Sequence, residues 1–145
     1  MIGLIQRVTR ASVTVEGKIV GQIDDGLLAL IGVEKSDTRQ KADRLTERML
    51  NYRVFADTDG RMNLSLRDIQ AGLLLVPQFT LVADTSKGNR PGFSNGASPE
   101  MGSYWFDYLL DRVAREHVNV ASGIFGADMK VELLNDGPVT FWLQT

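Results

Sequence analysis

The chain has no cysteine and a single histidine, His117, among its 145 residues. Without cysteine there are no disulfides, no thiol nucleophile and no thiolate metal site. One histidine cannot build a multi-histidine metal centre, so no metal and no cofactor are expected. A Ser-His-Asp triad would have to use His117. That residue falls in Arg115-Glu116-His117-Val118-Asn119, in the last turn of a helical pattern, where a cation suits the helix dipole. His117 is therefore read as structural, and histidine-assisted hydrolysis is set aside. No apolar run approaches the ~20 residues needed to span a bilayer. The start, Met1-Ile2-Gly3-Leu4-Ile5-Gln6-Arg7, lacks the basic segment and cleavage site of a signal peptide. It reads as a first strand, and a cytoplasmic protein without membrane association is expected. Excess positive charge is missing as well. A net charge of −2 and a pI of about 5.4 exclude a protein that coats nucleic acid by bulk electrostatics. A nucleic-acid ligand would have to be gripped at one end, by shape and hydrogen bonds.

What is present is ordinary for a globular domain: 43% hydrophobic and 23% charged residues. At this length one domain, spanning 1–145, can bury a sizeable core. Leu4–Thr9 and Ser12–Val15 read as strands, Glu16-Gly17-Lys18 as a turn, Ile19–Ile23 as a return strand and Asp24-Asp25-Gly26 as a second turn. Leu27–Val33 is almost continuously apolar, which predicts a strand covered on both faces. A helix follows, capped by Asp37 with Gln40 three residues on. Ala42, Leu45, Met49 and Tyr52 form its apolar face, and Arg39, Lys41, Arg44 and Arg48 its solvated faces. Asp57-Thr58-Asp59-Gly60 reads as a turn, because the later ligands of an EF-hand are missing. Gly72–Leu81 reads as a central strand, and residues 83–97 as a long polar loop of the kind that carries function. Ser98-Pro99 opens a second helix, with Met101, Trp105, Tyr108, Leu109 and Val113 on its apolar face. Two strands are expected around Gly137-Pro138. The class is α+β with a largely antiparallel sheet and two main helices. Periodicity alone does not choose between a curved and a barrel-like sheet.

Two short segments stand out. The first is Gly137-Pro138, in Asn135-Asp136-Gly137-Pro138-Val139-Thr140-Phe141. A plain hairpin turn is one reading. X-Pro is also the bond for which cis is cheap, at roughly 0.5–1 kcal/mol. A cis step would align neighbouring carbonyls into a rigid polar jaw. The second is Pro77-Gln78-Phe79-Thr80-Leu81, which ends the apolar run Leu73–Val76. On a continuing strand Gln78 and Thr80 would share one face, with Phe79 and Leu81 on the other. No His or Lys neighbours Thr80 to activate its hydroxyl, and Pro77 has neither a hydroxyl nor an N–H.

With Gly137-Pro138-Val139-Thr140 and Gln78-Phe79-Thr80 in this order, the chain resembles the D-aminoacyl-tRNA deacylases. The resemblance runs from Leu4-Ile5-Gln6-Arg7-Val8 to Thr140-Phe141. It includes Asn63-Leu64, Asp84-Thr85, Arg90-Pro91 and Gly123-x-Phe125-x-Ala127-x-Met129. One position departs: Pro77 stands where the family has Ser. The resemblance implies a barrel-like sheet with helices packed outside, a homodimer, and hydrolysis of the ester of D-aminoacyl-tRNA. It implies a substrate-assisted reaction at Gln78, Phe79 and Thr80, in which backbone N–H groups stabilise the oxyanion. It also implies that Gly137-Pro138 of one subunit, braced by Arg7, enters the active site of the other and excludes L side chains, so that glycyl-tRNA is also cleaved. Phe125 and Met129 are candidates for holding the terminal adenine of the tRNA, and Lys87 and Arg90 for contacting its phosphates.

From the residues alone two other functions stay open. A non-enzymatic RNA-end or ribosome-associated binding protein is favoured by the lack of an obvious acid–base pair. A small-molecule hydrolase would have to draw on the 18 acidic residues, none of which pair at an informative spacing.

Overall fold

The computed structural model describes residues 1–145. The two strands read near the start are one, β1, spanning Ile2–Val15. Glu16 and Gly17 both have positive φ and turn the chain into β2, Lys18–Ile23. β3, Gly26–Gly32, pairs with the near half of β1, while β2 pairs with its far half, both antiparallel. The chain at Asp24-Asp25 therefore moves along the same edge of β1 rather than doubling back. After helix α1, Arg39–Asn51, come β4, Phe55–Ala56, and β5, Met62–Leu64, which form a separate two-stranded sheet. A single-turn helix, α2, spans Leu66–Ile69. β6, Gly72–Pro77, pairs in parallel with β3. Helix α3, Pro99–Glu116, leads to β7, Val120–Ser122, which pairs in parallel with β6. β8, Lys130–Gln144, runs antiparallel along the other edge of β1.

The main sheet thus has the order β2-β1-β3-β6-β7, with β8 on β1. Its two ends approach each other. A Cβ built on Gly21 of β2 would lie 2.5 Å from the Ser122 carbonyl oxygen of β7. The sheet is nearly closed into a barrel, and α1 and α3 pack outside it. No helix is long and apolar enough to cross a membrane.

β3 is buried on both faces, as its apolar run predicts, and β6 beside it is buried on both faces as well. Leu27, Ala29 and Ile31 of β3, with Leu73 and Leu75 of β6, join Ala42, Leu45 and Met49 of α1 and Phe106, Leu109 and Val113 of α3 in the larger core. The intervening Leu28, Leu74 and Val76 point the other way, into a smaller core with Val8, Val13 and Ile23. Each fully buried leucine contributes roughly 1.5–3 kcal/mol.

One reading left open by the sequence is decided, and two expectations are corrected. The strands around Gly137-Pro138 are not a hairpin: both halves of β8 pair with β1. Gln6 faces Thr140 and Val8 faces Asn135, so residues 136–139 loop out of the ladder opposite Arg7 alone. The Gly137-Pro138 bond is cis, and Gly137 has φ +121. The strand read as Gly72–Leu81 ends at Pro77. The helix cap expected at Asp37 is Thr38, whose side chain accepts from the Lys41 N–H at 3.4 Å. Asp37 is buried, and accepts from the Met1 ammonium at 2.5 Å and from the Glu34 N–H at 2.7 Å. A buried ammonium requires a charged partner, whereas a helix start can also be capped by threonine.

Candidate active site

β6 ends with its ladder to β3, whose last pair is Ile31 and Pro77. The Gln78 N–H donates to the Ile31 carbonyl at 2.7 Å, completing the ladder to β3. Successive N–H groups alternate sides along a strand, so the N–H that Pro77 lacks would face β7. β7 has already ended, with Ser122 opposite Leu75. The chain then closes into a 3₁₀ turn, Phe79–Val82, in which the Leu81 N–H returns to the Gln78 carbonyl at 3.2 Å. Gln78 and Thr80 meet because of this turn rather than through strand alternation: Gln78 Nε2 donates to Thr80 Oγ1. The N–H groups of Phe79 and Thr80, at the open start of the turn, have no acceptor within the chain.

Beside the turn lies a pocket of about 510 Å³, within the range that holds small ligands. Pro77, Gln78 and Phe79 form one side of it, and Phe125 and Met129 another. The start of α3 forms its floor. Ser98 caps that helix as expected, accepting from the Met101 N–H at 3.3 Å. Phe106 lies under Phe125, ring centroids 6.5 Å apart. Phe79 is 62% exposed at the mouth, with the Phe93 ring 5.2 Å away.

Residues 83–97 are a tied flap rather than a free loop. Asp84 and Gly92 exchange backbone hydrogen bonds at 2.7 and 2.9 Å, and the Ala97 N–H donates to the Val33 carbonyl at 3.1 Å. A hydrogen bond from Ser86 holds the Asp84 carboxyl below its ordinary range. Lys87 and Arg90 are exposed at the tip of this flap, outside the pocket lining.

Of the sequence-predicted residues, Gln78, Phe79, Phe125 and Met129 line one pocket, and Thr80 is bonded to Gln78 beside it. Arg7, Gly137 and Pro138 lie elsewhere. Arg7 is in register with Leu27 of β3, and Pro77 with Ile31. The two sets stand at opposite ends of β3, roughly 13 Å apart along the strand. Arg7 does reach the outlooped segment: Nε lies 3.3 Å from the Asp136 carbonyl and 3.0 Å from its carboxylate, and Nη1 donates to the Val54 carbonyl at 2.6 Å. His117 is buried at the end of α3 and does not line the pocket. Its Nε2 donates to the Ala71 carbonyl at 2.6 Å.

A match to a family model described as D-Tyr-tRNA(Tyr) deacylase covers residues 4–144. The chain belongs to this family. It is 58% identical over 144 residues to a D-aminoacyl-tRNA deacylase of Escherichia coli O81 (strain ED1a), covering 99% of each chain. Identity to the protein of the same name from Pseudomonas putida (strain W619) is 60%, again over 99% of each. A solved structure of a c-Myc DNA unwinding element binding protein superposes with a TM-score of 0.96 at 36% identity, covering 100% of this chain and 99% of that one. A probable eukaryotic D-amino acid tRNA deacylase shares the fold at a TM-score of 0.85 and 18% identity, covering 99% and 98%.

Among the pocket residues that the sequence did not mark as site candidates are Phe93 and Gly102. Phe93 lay in a segment recognised only as a long loop. Gly102 carried a usable signal, because glycine inside a helix costs about 1 kcal/mol relative to alanine. Its reason is Phe125: a Cβ at Gly102 would lie 2.9 Å from the ring Cζ.

Proposed function

We propose that this protein hydrolyses the ester of D-aminoacyl-tRNA, freeing the tRNA and the D-amino acid, and that it rejects L-aminoacyl esters. The enzyme class, an aminoacyl-tRNA ester hydrolase, follows from its family. The observation that carries the finer reading is the meeting of an apolar, nucleoside-sized pocket with two unpaired N–H groups, of Phe79 and Thr80, at its mouth. The terminal adenosine lies against Phe125 and Met129, and the ester carbonyl faces the two N–H groups. These are placed to receive the negative charge that develops on the carbonyl oxygen.

Thr80 acts in positioning. Its only hydrogen-bonding side-chain partner is the Gln78 amide, which donates to it and cannot take its proton. The neighbouring free hydroxyl of the terminal ribose, already close to the ester, assists the attack of water. Proline at 77 is compatible with this route, since no hydroxyl is needed there.

Selectivity comes from Gly137-Pro138 of a second copy. In one chain that loop lies at the far end of β3 from the pocket, which supports a homodimer in which each subunit completes the site of the other. The loop leaves no room for an L side chain, while glycine, having none, is accepted. Lys87 and Arg90 on the flap contact tRNA phosphates. The reaction takes place in the cytoplasm, where charged tRNA is used.

Single-turnover deacylation of D-Tyr-, L-Tyr- and glycyl-tRNA by the purified protein tests this. D-Tyr- and glycyl-tRNA should be cleaved and L-Tyr-tRNA spared. Equal cleavage of both enantiomers would overturn the selectivity, and binding of tRNA ends without cleavage would favour the RNA-binding alternative.

A further inference from the structure

We propose that Asn135 is a positioning residue for stereochemical selectivity, acting through the loop of residues 136–139. This rests on the selectivity role proposed above for Gly137 and Pro138.

The outlooped segment removes four β8 residues from a ladder in which β1 spends only Arg7. A β1 carbonyl that would meet a strand N–H is left facing the base of the loop. Buried or half-buried carbonyls need a donor from somewhere. Asn135 supplies it: Nδ2 donates to the Arg7 carbonyl at 3.2 Å and to the Val139 carbonyl at 3.1 Å. One side-chain amide thereby ties the first residue before the loop to its last residue, and both to β1. The orientation of this amide is chemically forced, because two carbonyl oxygens can only face its nitrogen.

The Arg7 side chain holds a different part of the loop, through Asp136. Arg7 braces the outgoing limb from the Val54 side, and Asn135 closes the base. Gly137 and Pro138 stand between these two anchors. A loop that must exclude one enantiomer by bulk has to resist displacement by the side chain it excludes. Loosening the base therefore lets an L side chain push the loop aside, while D- and glycyl esters never press on it.

No other residue type of this size does the same. Asp has the shape but, ionised, presents oxygens to two carbonyl oxygens. Ser offers one hydrogen for two acceptors. The test uses Asn135→Asp and Asn135→Ser in the full-length protein, with single-turnover cleavage of D-Tyr-, L-Tyr- and glycyl-tRNA. The expected result is a D-to-L cleavage ratio lowered at least about tenfold in Asn135→Asp, the scale of two lost hydrogen bonds. Asn135→Ser should lie between it and wild type, and the ratio of glycyl to D cleavage should keep its wild-type value. Amide hydrogen exchange at Gly137 and Val139 should accelerate while exchange in β3 and β6 stays unchanged. A merely structural role would lower the melting temperature and leave the D-to-L ratio intact, and that outcome overturns the proposal. Should Asn135→Asp fail to fold, the ratio for Asn135→Ser decides by the same criterion. If the wild type does not distinguish the enantiomers, the selectivity reading itself fails, and this inference with it. A selective wild type with equally selective variants sinks only the role of Asn135.

Discussion

The amide of Gln78 and the hydroxyl of Thr80 are locked together across a 3₁₀ turn, Nε2 donating to Oγ1. The threonine oxygen is thus an acceptor in this arrangement, and the side-chain carbonyl of Gln78 keeps its own acceptor capacity.

The first consequence concerns Thr80→Ala and Thr80→Ser. Removing the hydroxyl frees the Gln78 amide and should slow D-Tyr-tRNA cleavage by roughly fivefold, the worth of one hydrogen bond. Thr80→Ser should remain close to wild type. Single-turnover rates decide: complete loss in Thr80→Ala, or an aminoacyl ester trapped on Thr80, would show that the hydroxyl attacks.

A second prediction concerns the floor of the pocket. Gly102→Ala drives a methyl to within 2.9 Å of Phe125. The helix gains about 1 kcal/mol from alanine, but overpacking costs about 1–3 kcal/mol. The protein should melt at a lower or equal temperature, and its affinity for the tRNA 3′ end should fall as Phe125 moves. Unchanged affinity would remove Phe125 from the binding pocket.

Gly137→Ala should depress D-ester cleavage without creating L activity. At φ +121 an L side chain is strained, and its Cβ would sit 2.8 Å from Val139 Cγ2 and 3.0 Å from Arg7 Nη2. On the selectivity proposed above, the added bulk narrows the site for every substrate and leaves the proposed clash with L side chains in place. Comparing D-, L- and glycyl-tRNA cleavage in wild type and variant checks this; gain of L-Tyr-tRNA cleavage is the contrary result.

Acid should weaken the fold at the Met1–Glu34 pair. Burial pushes the Glu34 carboxyl up, but its hydrogen bond and charge pairing with the Met1 ammonium, with help from Gln144 and Lys41, bring it below its ordinary value of 4.5. A carboxyl lowered in the folded state stabilises fully above its unfolded pKa, and that contribution disappears as pH falls through the folded value. Urea midpoints should therefore begin to lose this contribution only below about pH 4.5. Glu34→Gln should be less stable at neutral pH and fall less steeply in acid. A parallel pH profile for the two proteins would refute the assignment.

Much of this architecture was legible in local pattern. The unbroken apolar run of β3 announced a strand buried on two sides, and Ser98-Pro99 marked the start of α3 to the residue. The misreadings share one cause. Gln78-Phe79-Thr80-Leu81 keeps a strand-like alternation, but β6 ends with its pairing to β3, a partner strand much earlier in the chain. Gly137-Pro138 has the grammar of a turn, yet the neighbour that both flanks choose is β1, at the opposite end of the chain. Asp37 looked like a cap until the Met1 ammonium competed for it. At the site, Gln78, Phe79, Phe125 and Met129 line one pocket, while Phe93 and Gly102 became visible only once the flap and α3 were in place.

β1 is flanked by β2 and β3 on one edge and by β8 on the other, so the first strand of the chain is finished by its last. Such long-range pairing is slow to form and comes late in folding. Val131 and Leu133, which cover the smaller core, and the loop bearing Gly137 and Pro138 arrive on the same strand. During synthesis, then, no nascent chain has a sound barrel before the segment that bears Gly137 and Pro138 has been made. Under the selectivity proposed above, a finished chain carries the loop but not a gated site of its own, so discrimination is acquired only when two finished chains meet.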